Sequence, residues 1–222
     1  GTKMATLVMD ENLVAELTAR GVVSDTFRRL EPDKKSRIYR AAIRLFGEYG
    51  YDGLAIDQLC GDVGISKGSF FQYFPSKTHL LEFVILVFDD YLGKWVAEIR
   101  KGETAALARE RLLYFYQALV VNSKLFRDEE RFFLFITSAM NHSAVALEGI
   151  DPQRHIFDYI NEIIERGVQT GEIRGDFEVD LTGYLVSLVM EGLVRRQFTS
   201  ARLHRRETEH YLVSFLFDGI KA

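Results

Sequence analysis

Apolar side chains recur along this chain at helical spacing, and no stretch alternates with the period of two that a half-buried strand shows. Ile38, Ala41, Ala42, Leu45, Phe46 and Tyr49 share one helix face, and Gly50 stands where a helix C-terminus takes a left-handed residue. Ile56, Leu59, Cys60 and Val63 repeat the pattern for little more than two turns, up to Gly64. Ser66 supplies an N-cap for a third helix over residues 67–74, which Pro75 ends. Ser76 then caps a long fourth helix through Leu80, Val84, Phe88, Leu92 and Trp95 to about residue 100, closed by Gly102. Five more helical patterns follow, at about 104–123, 128–143, 152–170, 179–199 and 205–219, joined by short polar loops.

The fold class that follows is all-α. Residues 32–78 form a compact helix-turn-helix unit and residues 79–222 a larger helical bundle, joined by the long fourth helix. Residues 1–31 form an N-terminal extension. Within it Leu13, Val14 and Leu17 follow Asp10 as a short amphipathic stretch, and Arg28-Arg29 precedes the first long helix. That extension is read as an extra packing helix in preference to an arm reaching nucleic acid.

Composition changes this picture in three places. With 47% hydrophobic residues the chain can bury a real core, and its net charge of −4 gives no overall sign of a polyanionic partner. The charge is unevenly spread, however. Residues 34–81 hold seven Lys or Arg against four Asp or Glu, a local excess of +3 on the helix-turn-helix unit alone. The single cysteine, Cys60, rules out an internal disulfide and a multi-cysteine zinc site. The sequence has neither an apolar run of the ~18 residues a membrane span needs nor a signal-peptide pattern, so a cytoplasmic location without membrane contact is expected.

The turn from Val63 to Ser66 has the length of a helix-turn-helix connection, which presents its second helix to the major groove. Phe70 and Phe74, four apart, can lock that helix inward, while Gly68 and Ser69 keep its leading edge slim. Ser66, Lys67, Ser69 and Gln72 offer hydroxyl, ammonium and amide groups to base edges or phosphates, with Gln72 the best base reader. Tyr73 and Lys77 suit phosphate clamps near its C-terminal end, and Lys34 and Phe71 complete the candidate set.

Residues 35–81 contain AAIRLFGEYGYDG and then DQLCGDVGISKGSFFQYFPSK. This run resembles the DNA-binding domain of the tetracycline-repressor (TetR) family of bacterial transcriptional regulators. Three positions depart from the family pattern. Leu54-Ala55 stands where Ser or Thr usually caps the second helix, Phe70-Phe71 replaces a Leu-Tyr pair and so drops a hydroxyl, and Cys60 replaces an alanine.

The resemblance implies a homodimer held by the last two helices and an effector cavity enclosed by the fourth to seventh. Leu181, Leu185, Leu188 and Gly192 on one helix and Tyr211, Leu212, Phe215 and Leu216 on the next are the expected interface, a monomer core being the plainer use of the same residues. Trp95, Phe115, Tyr116, Phe133, Met140, His142, His155 and Tyr159 are candidate cavity residues, although an aromatic residue at helical spacing is more often core filler than pocket wall. An operator-binding repressor, released by a small and largely apolar or aromatic effector, is the expected function, with no cofactor. The alternative is a helical small-molecule-binding or metal-dependent enzyme with a vestigial helix-turn-helix, in which Asp151 and His155 would be ligands. A di-iron bundle needs Glu-x-x-His on two helices, and only Glu207 to His210 provides one, so ordinary polar side chains facing solvent are the better account.

Overall fold

A computed structural model describes residues 9–139, 151, 153–199 and 205–220. The all-α expectation holds, with no β-strand among the described residues. In chain order the helices are α1 (Glu11–Ala19), α2 (Asp25–Arg28), α3 (Pro32–Gly53), α4 (Ile56–Val63), α5 (Lys67–Tyr73) and α6 (Lys77–Gly102). There follow α7 (Ala108–Leu125), α8 (Arg127–Ala139), α9 (Arg154–Gln169), α10 (Val179–Thr199) and α11 (Arg205–Leu212), the last continuing through a π-helical turn (Val213–Phe217) into α12 (Asp218–Ile220).

Local chemistry sets the boundaries. Asp10 caps α1 by accepting from the Asn12 N–H at 2.9 Å, and Ser24 caps α2 by accepting from the Phe27 N–H at 3.1 Å. α3 opens on Pro32, whose missing N–H costs nothing at the first helical position. Gly50 has φ 68° and ψ −172°, so α3 breaks there and a last turn to Gly53 follows. Ala55 gives α4 no side-chain cap, the weakness that Leu54-Ala55 implied. Gly64 ends it in the left-handed conformation, φ 74° and ψ 43°.

Packing divides the described chain into two compact units, and the division cuts across the sequence-based one. The first unit takes the chain up to Tyr91 together with the segment from Phe126, so it contains α1 to α5, the first part of α6, and α8. Its core is aromatic. Phe27, Phe46, Phe70, Phe74, Phe83 and Phe132 are fully buried, and the Phe27 ring lies 5.1 Å from both Phe74 and Phe83. The described part of the N-terminal extension, from residue 9 on, therefore packs, through Leu17 and Phe27, as part of this core. α3 runs along α8, and the approach depends on a missing side chain: a Cβ on Gly47 would lie 2.9 Å from the Phe132 backbone nitrogen.

The second unit takes Leu92–Leu125 and the segment from Gln153, and so holds the remainder of α6 with α7, α9, α10 and the last helical stretch. Phe115, Tyr116, Tyr159, Ile160, Ile163 and Met190 are its fully buried centre. It also buries an ion pair. Arg111 Nε donates to Glu103 Oε2 at 2.6 Å, with the two side chains only 5% and 6% exposed. The Tyr159 hydroxyl donates to the same carboxylate oxygen at 3.0 Å. Burial, with Glu103 beside it, pushes the Tyr159 phenol up to about 12.

Candidate nucleic-acid interface

α4, the turn at Gly64 and α5 form the helix-turn-helix, and its rigidity comes from three sides. Underneath, Phe70 and Phe74 pack inward 5.5 Å apart. At the leading end, Ser66 Oγ accepts from the Ser69 N–H at 3.0 Å and shares a 2.9 Å hydrogen bond with Ser69 Oγ. At the trailing end, Ser24 Oγ donates to the Gln72 carbonyl at 2.5 Å and the Ser24 N–H donates to the Tyr73 carbonyl at 3.0 Å. Carbonyls at a helix C-terminus have no partner within the helix, so Ser24 satisfies two groups that would otherwise face solvent. Nothing in the local sequence announces this contact across 48 residues.

The DNA-binding candidates are placed as follows. Ser66, Lys67, Gly68, Phe71 and Gln72 are exposed, and Ser69 is half-buried. Lys67 Nζ pairs with Asp57 of α4, 3.0 Å from Oδ1, a partner that sequence reasoning missed. Tyr73 differs most from expectation. Its ring is buried edge-on against Phe27, with Lys34 Nζ 5.6 Å over its face, because i+3 from Phe70 turns the ring toward the core. Lys77 Nζ donates to the Leu54 carbonyl at 3.2 Å and lies 4.6 Å over the Tyr51 ring, which fixes the ammonium beside the end of α3. Cys60 lies on the buried face of α4, and burial, followed by the Asp57 charge, raises its thiol pKa, which disfavours the reactive thiolate.

This arrangement is matched elsewhere. Residues 38–84 fit the model of the bacterial regulatory proteins, tetR family. Over these residues the chain carries a DNA-binding domain of the TetR type. The chain is 30% identical over 90 residues, 40% of its own length and 31% of the relative's, to the uncharacterized HTH-type transcriptional regulator YuxN of Bacillus subtilis. A longer match, 23% identical over 168 residues, covers 73% of this chain and 80% of the HTH-type transcriptional repressor AcnR of Corynebacterium diphtheriae. The fold as a whole resembles a TetR-family transcriptional regulator from Chloroflexus aurantiacus, with a TM-score of 0.68, 18% identity, and coverage of 90% of this chain and 99% of the other.

The other candidates fall in different parts of the TetR-type fold. Trp95, Phe115, Tyr116, His155 and Tyr159 belong to the second unit, where Trp95 and Phe115 rings lie 5.9 Å apart and Phe115 and Tyr159 meet edge to face at 4.9 Å. His155 lies against Gly93, whose hypothetical Cβ would come within 2.9 Å of the imidazole. Phe133 belongs instead to the first unit, while Met140 and His142 lie outside the described residues. On α10, Leu181, Leu185, Leu188 and Gly192 are exposed, as Tyr211 and Phe215 are further on. Leu212 and Leu216 are buried within the protomer. Asp151 is exposed, the side chains of Glu207 and His210 lie outside the described set, and no three His, Cys, Asp or Glu converge among the described residues. No described helix is long and apolar enough to cross a membrane.

Proposed function

We propose that this chain is a transcriptional regulator, acting as a repressor, that binds a palindromic operator as a homodimer and releases it when a small, largely apolar or aromatic effector binds. The observation that carries the reading is the exposed edge of α5, held by the Phe70 and Phe74 anchor below and by Ser66 and Ser24 at its two ends. A short, slim helix fixed in this way suits insertion into the major groove. Ser66, Lys67, Gly68, Ser69, Phe71 and Gln72 face the bases and nearby phosphates, and Lys34, Tyr73 and Lys77 flank them. Lys77 spends one N–H on Leu54 and keeps two for phosphate.

Dimerisation is supported by the two-faced character of α10. Val186, Met190 and Val194 turn inward, while Leu181, Tyr184, Leu185 and Leu188 form an exposed stripe on another face. A second copy laying the same stripe against it, joined by Tyr211 and Phe215, gives a symmetric interface. Two recognition helices then enter successive major grooves, roughly 34–36 Å apart on one side of the duplex. Effector binding is assigned to the second unit, where the Trp95, Phe115 and Tyr159 rings provide aromatic surface and Glu103, Arg111 and the Tyr159 hydroxyl provide polar groups.

The test is a footprint of the full chain on the DNA upstream of its own coding sequence, paired with titration of Trp95 fluorescence by candidate effectors. A protected inverted repeat is expected. So is an effector that changes emission and lowers operator affinity over one concentration range, with operator weakening effector binding by the same factor. Absence of any protected sequence overturns the reading.

A further inference from the structure

The first unit leaves only two large apolar side chains substantially exposed among its described residues, Tyr49 and Phe71. Phe71 is 49% exposed, and it stands on the one helix that the proposed function sends into the major groove. Its ring is not loose. It meets the fully buried Phe70 edge to face, with centroids 5.1 Å apart and planes at 86°, so the exposed side is held in a set orientation.

The neighbouring polar groups are occupied to different degrees. Ser66 and Ser69 hydrogen-bond each other, Lys67 is paired with Asp57, and Tyr73 is buried. Gly68 has no side chain. On this seven-residue helix, Phe71 and Gln72 are therefore the exposed side chains with no polar commitment to another described side chain. They are separated by about 100° around the axis, so they point to adjacent positions along a groove.

In the major groove an aromatic hydrocarbon has one base feature to recognise, the C5-methyl group of thymine, whereas a carboxamide pairs with adenine N6 and N7. We infer that Phe71 is a specificity residue that packs on a thymine methyl in each half-site, beside an adenine read by Gln72. The inference rests on the proposed operator binding. It assigns Phe71 a base contact in place of the phosphate contact that a hydroxyl at this position could make.

The experiment starts from duplexes selected by the full chain from a random-core library, then replaces each selected thymine in turn with deoxyuridine, which removes only the methyl group. Affinity is read by fluorescence anisotropy for the parent, Phe71→Ala and Phe71→Leu. One thymine per half-site is expected to cost the parent about fourfold on replacement, the worth of one buried methyl. The same replacement should cost Phe71→Ala nothing and Phe71→Leu a residual part. Since Phe71 is half exposed, both variants should melt at the parent's temperature. If no thymine shows a penalty, or the penalty persists in Phe71→Ala, the inference is overturned while operator binding stands. If the full chain enriches no sequence at all, operator binding falls and the inference falls with it.

Discussion

The two compact units handle their apolar surface in opposite ways. The first buries its aromatic rings against one another and leaves two large apolar residues exposed, Tyr49 and Phe71, among the described residues. The second, from Leu107 to Phe215, leaves eleven exposed among its described residues, while it buries the charged Arg111 and Glu103. A unit that seals its core and shows a polar edge is suited to a charged, hydrated partner. One that turns apolar stripes outward is suited to another protein surface. Solvent-facing chemistry thus separates two tasks that helix content alone would not distinguish.

The largest test of this contrast lies in the buried pair. Arg111→Met leaves the Glu103 carboxylate buried without its cation, with the Tyr159 hydroxyl still donating to it, and a loss of about 3–5 kcal/mol in urea denaturation is expected, because an uncompensated buried charge is costly. Replacing both partners by apolar residues should recover much of that loss. A single variant as stable as the parent would show that the charge escapes to water.

Next comes the pair of leucines that separates core from surface. Leu212→Ala, in the protomer interior, should cost about 2 kcal/mol or more. Leu185→Ala, 53% exposed, should leave protomer stability within about 0.5 kcal/mol and instead shift the sedimentation equilibrium toward monomer. An unchanged sedimentation profile for Leu185→Ala would place the self-association surface elsewhere.

A smaller effect concerns the polar edge. Asp57→Asn releases Lys67 from its 3.0 Å partner, and the freed ammonium should steepen the dependence of log affinity on log salt by about one unit for each protomer on any duplex. A slope equal to the parent's would mean that Lys67 already reaches phosphate.

The smallest concerns Glu129 in the first turn of α8. Burial raises its pKa above the ordinary glutamate value, with Asp128 adding to the shift and Arg40 opposing it. The folded state therefore favours the protonated acid, a preference fully present at low pH and lost as pH rises through the raised value. Glu129→Gln should accordingly raise the melting temperature at neutral pH, with the gain vanishing below the ordinary glutamate range. A gain independent of pH would contradict the assignment.

Much of the helix-turn-helix is legible in the sequence because glycine, serine and proline mark its joints chemically. Gly64 adopts the left-handed turn, Ser66 caps α5, and α5 stops before Pro75. Legibility ends where partners are far apart in the chain. Neither the Ser24 contact with α5 nor the packing of α8 on α3 has a local signature, so residues 79–222 read as a single bundle although α8 joins the first unit. Arg111 does leave a trace, since it shares the buried face of Ala108, Leu112 and Phe115 on α7, a place where a charge demands a partner. The last helices show the opposite problem. Tyr211, Leu212, Phe215 and Leu216 are all apolar, and only the packed structure separates the inward leucines from the outward aromatics.

The clamp from Ser24 onto the end of α5 alters what counts as a portable reading head. A hybrid regulator made by grafting this helix-turn-helix onto a foreign sensor at Pro32 would transplant every groove-facing side chain and still omit the two donors to the Gln72 and Tyr73 carbonyls, together with the Phe27 plug against Phe74. The cassette that travels intact starts at or before Asp10, the cap of α1.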